Sequence, residues 1–293
     1  MAERRGPKRS PVERVRERVA REVGDSVARA IPDGYQRLGR VLLLRLPPSL
    51  LRHHALIGEA WREALGVETV LVRTGPVGGE FRRPTVERVA GGPTETEVQE
   101  NSVRYRFDAA RIMFAKGNGD ERRRISSLVR PGETVVDLFA GIGYFTLPIA
   151  VRSRAERVIA VEANPVAFRY LEENVERNHV RSRVTTYLGD NRSAPLPTGI
   201  ADRVVLGYLP SSLPWLARAL ELLKPAGGWL HVHELAEVRA PLSAAEAELV
   251  QALEQRGALV RSVKALLVKP YGPGRNHLVL DASLGGSGLA PGS

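Results

Sequence analysis

The chain contains no cysteine among its 293 residues. That absence excludes disulfide bonds, catalysis by a thiolate, and zinc or iron–sulfur sites held by cysteine. The sequence also lacks an apolar run of the roughly 20 residues that a membrane-spanning helix needs. No apolar segment follows the charged first ten residues, so we expect no secretory signal peptide. We therefore expect a cytoplasmic protein of two-domain length that uses neither a membrane nor a redox thiol.

Lysine is scarce as well, since it occupies five positions and leaves 38 of the 43 basic residues as arginine. With 33 acidic residues, the formal net charge is +10. Arginine binds phosphate in a bidentate manner and stacks on bases, which favours RNA as a partner. A nucleotide bias of the genome would give the same composition, and composition leaves both interpretations open.

Half of the net charge lies in the first 40 residues, which hold 11 basic and 6 acidic side chains. Valines recur there at spacings of three and four, at positions 12, 15, 19, 23 and 27. That spacing predicts one helix with an apolar stripe, which begins at Pro11 and ends at the turn of Pro32, Asp33 and Gly34. We predict residues 1–36 to be a basic N-terminal helix whose arginines face either solvent or RNA.

The pattern of apolar segments and turns over residues 37–100 predicts a small α/β domain. Its predicted strands are residues 40–46, 69–73 and 86–90. Ser49 is a suitable N-cap for a helix that runs to Leu65, and Gly66 is a suitable C-cap. A further strand over residues 102–107 leads into the next domain.

Strands and helices alternate over residues 101–283, which predicts an α/β domain with a doubly wound, mostly parallel sheet. The predicted strands are residues 134–138, 157–162, 184–188, 202–206, 228–234, 258–267 and 277–281. No helix separates the last two strands, so they should form an antiparallel hairpin at one edge of the sheet. Residues 284–293 are rich in glycine and serine and are predicted to be a disordered tail.

A glycine-rich turn, with Asp137, Gly141 and Gly143, follows the first strand of this domain. Glycine lets the backbone approach a ligand and leaves the N–H groups of the following helix accessible. The pattern lacks the third glycine of the dinucleotide fingerprint, because Leu147 stands near its place. It also lacks the Gly-Lys-Ser/Thr ending of a phosphate-binding loop.

Further polar side chains follow the next two strands, namely Glu162 after the second and Asp190 with Asn191 after the third. The carboxyl ends of neighbouring parallel strands meet at one edge of a sheet, where open α/β folds bind ligands. Carboxylates there can accept hydrogen bonds from ribose hydroxyls and from an adenine amine. The set predicts a nucleoside-sized site without a pyrophosphate cradle, which fits S-adenosylmethionine better than NAD.

The turn Asp-Leu-Phe-Ala-Gly-Ile-Gly-Tyr-Phe-Thr and the downstream Glu-Ala-Asn-Pro resemble a family of tRNA-modifying enzymes with the class I methyltransferase fold. One branch of that family methylates N1 of the guanosine 3′ to the anticodon. The other, the tRNA wybutosine-synthesising protein 2 branch, transfers the 3-amino-3-carboxypropyl group of the same cofactor to a tricyclic guanine derivative. The resemblance covers about residues 40–282.

Residues 113–118, 189–192 and 201–212 resemble the second branch, as does Leu-His-x-His at residues 230–233. The methylating branch has Asn-Leu-Pro where this chain has Gly207 and Tyr208. The resemblance implies a Rossmann-like methyltransferase fold and transfer to a 4-demethylwyosine-like guanosine at position 37 of tRNA. It also implies binding at the anticodon loop, a small domain that docks the tRNA stem, and a monomeric enzyme.

The resemblance further implies the residues that bind S-adenosylmethionine, which are Phe114, Ala115, Arg122, Asp137, Phe139, Gly141, Glu162, Asp190 and Asn191. Ala115 stands where the family has serine, so one hydroxyl contact to the cofactor is absent. Arg122 stands where the family has lysine and keeps the charge that would pair with the methionine carboxylate.

Candidate catalytic residues are few. Tyr208 can stack on the target base, and His233, near a strand end, can accept a proton from the ring carbon. Phe114 and Phe139 are either stacking platforms or core residues. His231 and His233 share a strand face but have no third ligand, so we expect no metal. Two other functions remain open: a tRNA guanine-37 N1-methyltransferase, and a non-catalytic RNA-binding protein with a decayed cofactor site.

Overall fold

The computed structural model describes residues 9–286, which divide into two compact units. The first unit runs to Gln99 and also includes Arg106–Phe114, and the second consists of Glu100–Tyr105 and the chain from Ala115 onward. Residues 106–114 were expected in the second domain. They belong to the first unit, where Gln36 donates to the Phe114 carbonyl at 3.0 Å and Thr94 donates to Asp108 at 2.6 Å.

The basic N-terminal segment forms two helices instead of the predicted single one, α1 (Pro11–Val23) and α2 (Asp25–Arg29). Gly24 separates them with a φ of +92°, a conformation that an α-helix does not accept. A capping box starts α1: the Ser10 hydroxyl accepts from the Glu13 N–H at 3.3 Å, and the Glu13 carboxylate accepts from the Ser10 N–H at 2.6 Å.

The first unit contains a four-stranded sheet in the order β1-β2-β3-β4. Its strands are β1 (Tyr35–Leu38), β2 (Val41–Leu44), β3 (Thr69–Arg73) and β4 (Val86–Gly91). β2 and β3 are parallel, and the other neighbours are antiparallel. One sheet face packs with α1, α2 and α3 (His54–Leu65) around the fully buried Trp61.

Two elements of this unit differ from expectation. β1 was not predicted, since it is a short and mostly polar segment. The helix predicted from Ser49 begins only at His54, because Pro48–His53 form a 3₁₀ turn. Gly66 ends α3 in the left-handed conformation, as predicted.

A separate two-stranded sheet consists of β5 (Glu95–Glu100) and β6 (Val103–Asp108). β6 confirms the strand expected at residues 102–107, whereas β5 was not predicted. Its sequence is mostly polar, and only Thr96 and Val98 are buried, so its alternation is weak in the sequence.

The second unit is a seven-stranded sheet in the order β12-β13-β11-β10-β7-β8-β9. The strands are β7 (Thr134–Asp137), β8 (Arg157–Glu162), β9 (Val184–Leu188), β10 (Arg203–Leu206), β11 (Gly227–Glu237), β12 (Val260–Gly272) and β13 (Arg275–Gly285). Its helices are α4 (Gly119–Leu128), α5 (Thr146–Arg152), α6 (Pro165–Arg177), α7 (Leu216–Leu222) and α8 (Leu242–Glu254). Strands β7 to β11 pair with one another in parallel, while β13 is antiparallel to both β11 and β12. The predicted doubly wound sheet with an antiparallel edge hairpin is confirmed.

The last strand is longer than predicted. β13 continues to Gly285, and Leu284 is buried, because the Gly285 N–H donates to the Leu259 carbonyl at 2.8 Å. The predicted tail therefore cannot begin at residue 284, and residues 287–293 lie outside the described part of the chain. Within that part, none of the helices is both long and apolar enough to cross a bilayer.

The strand order places a topological switch between β7 and β10. From β7 the chain builds β8 and β9 on one side, and it then returns to build β10 and β11 on the other. Crevices at the carboxyl ends of strands on either side of such a switch are the usual ligand sites of open α/β sheets.

Candidate cofactor site in the second unit

Asp137 ends β7 and organises the glycine-rich turn. Its fully buried carboxylate accepts hydrogen bonds from the Phe139 N–H at 3.3 Å, the Thr146 N–H at 3.1 Å and the Thr146 hydroxyl at 2.8 Å. Burial raises the pKa of Asp137 to about 6, and these donors oppose the rise. The carboxylate therefore joins the strand end to the first residue of α5.

Glu162 ends β8 and lies against the turn. One carboxylate oxygen accepts from the Gly141 N–H at 2.7 Å, and the other accepts from the Asn164 N–H at 2.7 Å. Burial raises the pKa of Glu162 to about 7, although both N–H donors lower it. Gly141 has a φ of +58°, and a Cβ there would lie 2.6 Å from the Tyr144 ring. Only glycine fits this position.

Asp190 and Asn191 follow β9 and differ in their surroundings. Asp190 is exposed and ion-paired with Arg192 at 2.8 Å, and hydrogen bonds from Arg192 lower its pKa. Asn191 is buried and donates from its amide to the Leu138 carbonyl at 3.0 Å. Asn191 therefore ties the loop after β9 to the glycine-rich turn, while Asp190 presents its carboxylate at the surface.

An aromatic cluster lies beside this turn. The rings of Phe139 and Tyr208 stack with centroids 5.1 Å apart, and Trp215 packs edge-on against them at 5.1 and 5.2 Å. The Arg192 guanidinium lies 6.0 Å from the Trp215 ring. Sequence reasoning missed Trp215, since nothing in its local sequence distinguishes it from a core tryptophan.

The loop after β10 is held by Glu234. One oxygen of its carboxylate accepts from the Ser211 hydroxyl at 3.0 Å and from the Ser212 N–H at 2.5 Å. Burial raises the pKa of Glu234 to about 7, against these hydrogen bonds. Glu234 was not predicted, although its position at the carboxyl-terminal end of a central strand was a usable signal.

Gly207 begins the same loop in a crowded position. A Cβ there would lie 3.0 Å from one carbon of the Phe145 ring. The Phe145 ring in turn packs 5.1 Å from the imidazole of His233.

Arg122 projects from α4 into a buried setting. It donates to the Glu100 carboxylate at 2.7 Å and to the Ala115 carbonyl at 3.0 Å. Its guanidinium lies over the rings of Tyr144 at 4.9 Å and Tyr105 at 5.9 Å. Because Tyr144 belongs to the glycine-rich turn, the fold brings Arg122 to that turn. Glu100, its ion-pair partner, was not predicted.

Phe114 belongs to the first unit. Its ring is buried and stacks on Phe107, with centroids 5.2 Å apart and an interplanar angle of 8°. Its predicted contact with a cofactor stays a prediction.

The two β11 histidines are fully enclosed. His231 contacts Asp281 and Arg203, each at 2.6 Å, while His233 contacts His277 at 2.8 Å. Burial lowers the pKa of both, and that of His233 falls well below 6.5. His233 is 1 % exposed. No observed contact tests its predicted catalytic role, which stays a prediction. In residues 9–286 no cluster of three or more side chains suited to a metal ion occurs.

These contacts separate the predicted residues by role. Asp137, Asn191 and Gly141 build the turn, whereas Glu162 and Asp190 bring carboxylate oxygens to the edge of the sheet. No side chain fits at Gly141, so the backbone of the turn stays open to a ligand. The aromatic cluster beside the turn offers a surface on which a nucleoside can pack. The carboxylate acceptors therefore suit the hydroxyl and amine donors of S-adenosylmethionine.

Comparison with known proteins gives consistent matches to both units. Residues 96–258 match the family model described as the TRM5/TYW2 methyltransferase domain, and residues 15–94 match the TYW2 N-terminal domain. The tRNA(Phe) (4-demethylwyosine(37)-C(7)) aminocarboxypropyltransferase of Pyrococcus horikoshii is 38% identical over 268 residues, which cover 92% of this chain and 95% of that protein.

Two solved structures are similar over most of the chain. The structure of P. horikoshii TYW2 in complex with MeSAdo has a TM-score of 0.80 and 35% identity, and the match covers 94% of this chain and 100% of that one. The structure of M. jannaschii TYW2 in complex with AdoMet has a TM-score of 0.70 and 30% identity, with coverage of 86% and 99%.

Proposed function

This chain belongs to the TRM5/TYW2 family, and from that premise we propose that it is an aminocarboxypropyltransferase acting on tRNA. It transfers the 3-amino-3-carboxypropyl group of S-adenosylmethionine to a 4-demethylwyosine-like guanosine at position 37, in wybutosine-type biosynthesis. The observation that carries the proposal is the match of the first unit to the TYW2 N-terminal domain, in addition to the shared methyltransferase domain. Gly207, where the methylating branch has asparagine, supports it.

The proposal assigns the cofactor to the turn after β7. Glu162 and Asp190 would accept from the ribose and the adenine amine, Phe139 would pack on the nucleoside, and Arg122 would hold the methionine carboxylate. When bound, S-adenosylmethionine supplies a sulfonium whose methionine γ-carbon can be attacked, and 5′-methylthioadenosine then leaves.

Orientation is the task of the protein side chains. Arg122 is restrained by Glu100 and by two aromatic rings, so a carboxylate paired with it has one preferred position. Positioning of the reacting carbon can account for several kcal/mol of a barrier, so the place of the carboxylate can select which carbon is presented. The stacked Phe139 and Tyr208 offer an aromatic surface for a base that has left its stack.

The by-product identifies the reaction. Protein, S-adenosylmethionine and tRNA that carries 4-demethylwyosine are expected to yield 5′-methylthioadenosine, measured by liquid chromatography with mass detection. S-adenosylhomocysteine would instead indicate a methyltransferase, and neither product would indicate a binding protein with a decayed site. The Arg122→Ala variant is expected to lose most of the transfer, and full transfer by it would contradict the orienting role of Arg122.

Cofactor affinity is expected to depend on pH through Glu162. Ribose hydroxyls donate to the charged carboxylate, so binding lowers a pKa that is about 7 in the free protein. The affinity for the cofactor is then highest above pH 7, where Glu162 is charged. It falls as the pH drops, by up to about tenfold per pH unit. Calorimetric titration with S-adenosylhomocysteine at pH 6 and pH 8 measures the slope.

The Glu162→Gln variant should bind more weakly and with no such slope. The matched control is Asp120→Asn, which removes an exposed carboxylate on α4 and should keep the wild-type slope. Equal wild-type affinity at the two pH values would contradict the assignment of Glu162.

The remaining features of the proposal concern the partner. The enzyme acts as a cytoplasmic monomer on the anticodon loop, and its first unit, residues 37–100 above all, docks the tRNA stem. The positive net charge and the tRNA named as substrate of the P. horikoshii relative support this part.

A further inference from the structure

Two arginines lie side by side at the ends of the parallel strands of the first unit. Leu44 of β2 pairs with Val72 of β3, so the next residues, Arg45 and Arg73, occupy equivalent positions on neighbouring chains. Neighbouring strands are about 4.8 Å apart. Because side chains alternate along a strand, both arginines point away from the face that packs on α1 and α3.

Neither arginine has an acidic partner within residues 9–286. Arg73 is half-buried, and its hydrogen bond goes to the neutral amide oxygen of Gln36 at 3.3 Å. Burial and the neighbouring charge of Arg45 both lower the pKa of Arg73. Two like charges are thus held together without a compensating carboxylate, an arrangement that a bound anion would stabilise.

Three of the four arginines of α1 provide a contrast within the same unit. Arg14 donates to the Ala64 carbonyl at 2.7 Å, Arg16 donates to the Ile31 carbonyl at 2.5 Å, and Arg18 pairs with Glu63. Those side chains are occupied by contacts within the unit. The basic N-terminal segment is therefore a poorer candidate for RNA contact than the Arg45–Arg73 pair.

We propose that Arg45 and Arg73 form a phosphate-binding site that holds the backbone of the RNA substrate on the first unit. The inference rests on the proposed function, because a tRNA substrate supplies the phosphates. Guanidinium groups bind phosphate oxygens in a bidentate manner, and a pair of them fits one phosphate or two successive ones. The site recognises the backbone and not a base, so it contributes affinity and register.

Charge removal tests the site. The Arg45→Gln and Arg73→Gln variants and their combination are compared with wild type for tRNA affinity by fluorescence anisotropy, over a salt series. Each single variant is expected to bind tRNA about tenfold more weakly. The slope of log K against log salt should fall by about 1 for each arginine removed. The KM for tRNA should rise in parallel.

Two further variants separate binding from folding. Arg29→Gln removes an exposed charge from α2, on the covered side of the sheet, and should keep wild-type affinity and slope. Arg73→Lys keeps the charge but loses the bidentate geometry of the guanidinium. Its affinity for tRNA should therefore lie between those of wild type and Arg73→Gln. Melting temperatures of the Arg45 and Arg73 variants should be equal to or above wild type, since each removes a like-charge contact.

Several results would overturn the site. One is a double variant with wild-type affinity and slope, which would leave the transferase proposal standing if methylthioadenosine still forms. Another is competition by millimolar inorganic phosphate that is equally strong against wild type and the double variant at matched ionic strength, because phosphate would then not act through the pair. Conversely, weaker tRNA binding by the double variant, in a protein that forms no methylthioadenosine, would support the site and refute the transferase.

Discussion

Replacement of Asp137 by alanine is expected to destabilise the second unit by about 3 kcal/mol, because three donors, two of them buried, lose their common acceptor. In thermal unfolding this corresponds to a melting temperature lower by roughly 6–12 °C. Cofactor affinity should fall as well, since the turn that carries Gly141 is attached to β7 through this carboxylate. Differential scanning calorimetry and calorimetric titration with S-adenosylhomocysteine measure the two effects.

Thr146→Val is the matched control for this change. It removes the hydroxyl donor at 2.8 Å but keeps the Thr146 N–H on Asp137. We expect a loss of about 1 kcal/mol and cofactor binding close to that of wild type. If Asp137→Ala were as stable as Thr146→Val, the organising role of Asp137 would be wrong.

The second large effect is expected at Asp281 on β13. Its carboxylate contacts His231 at 2.6 Å and Arg124 at 2.6 and 3.1 Å. Asp281→Ala leaves the buried His231 and the half-buried Arg124 without this carboxylate, although Arg124 keeps its ion pair with Glu121. We expect a destabilisation of about 2–3 kcal/mol, because a buried imidazole and a half-buried guanidinium lose a charged hydrogen-bond acceptor.

The pH dependence of this loss has a definite sign. Burial alone would raise the pKa of Asp281, but hydrogen bonds and charge from His231 and Arg124 lower it below its ordinary value of 3.8. Its contribution to stability is therefore present above about pH 4 and disappears as the pH falls below that value. Urea unfolding of wild type and Asp281→Ala at pH 7 and pH 3 should show a difference that narrows at the lower pH.

Asp281→Asn is the control, because its amide oxygen still accepts a hydrogen bond from Arg124 or His231. We expect it to lose less than half as much stability as the alanine variant. Since Arg124 lies two residues from Arg122 on α4, the alanine variant should also bind the cofactor more weakly. A stable Asp281→Ala protein would show that the chain of contacts from Arg203 to Arg124 is dispensable.

Much of the second unit was predictable because its strands are apolar and separated by helices. The strand-end positions of Asp137, Glu162 and Asp190 followed from the same pattern, and the structure places them there. The individual contacts did not follow from it. Asp137 bonds to Thr146, nine residues away, and no periodicity indicates that partner.

The elements that were missed share one physical cause. β1 and β5 are short and rich in polar residues, and each becomes a strand by pairing with the strand that follows it in the chain. Glu100 and Glu234 were missed in the same way, since their importance comes from Arg122 and from the loop after β10. Two of the predicted boundaries were wrong. The single N-terminal helix is interrupted by the positive φ of Gly24. The tail does not begin at residue 284, because the Gly285 N–H bonds to the Leu259 carbonyl.

The crowding at Gly207 bears on how the two branches of the family can interconvert. A side chain at this position meets the Phe145 ring, which is itself packed on His233. A change from glycine to the asparagine of the methylating branch is therefore coupled to what stands at position 145. At 3.0 Å the Phe145 ring has to shift by a few tenths of an ångström, so we expect asparagine at position 207 to be tolerated better beside a smaller side chain at position 145. Positions 207 and 145 are therefore expected to vary together among members of the family.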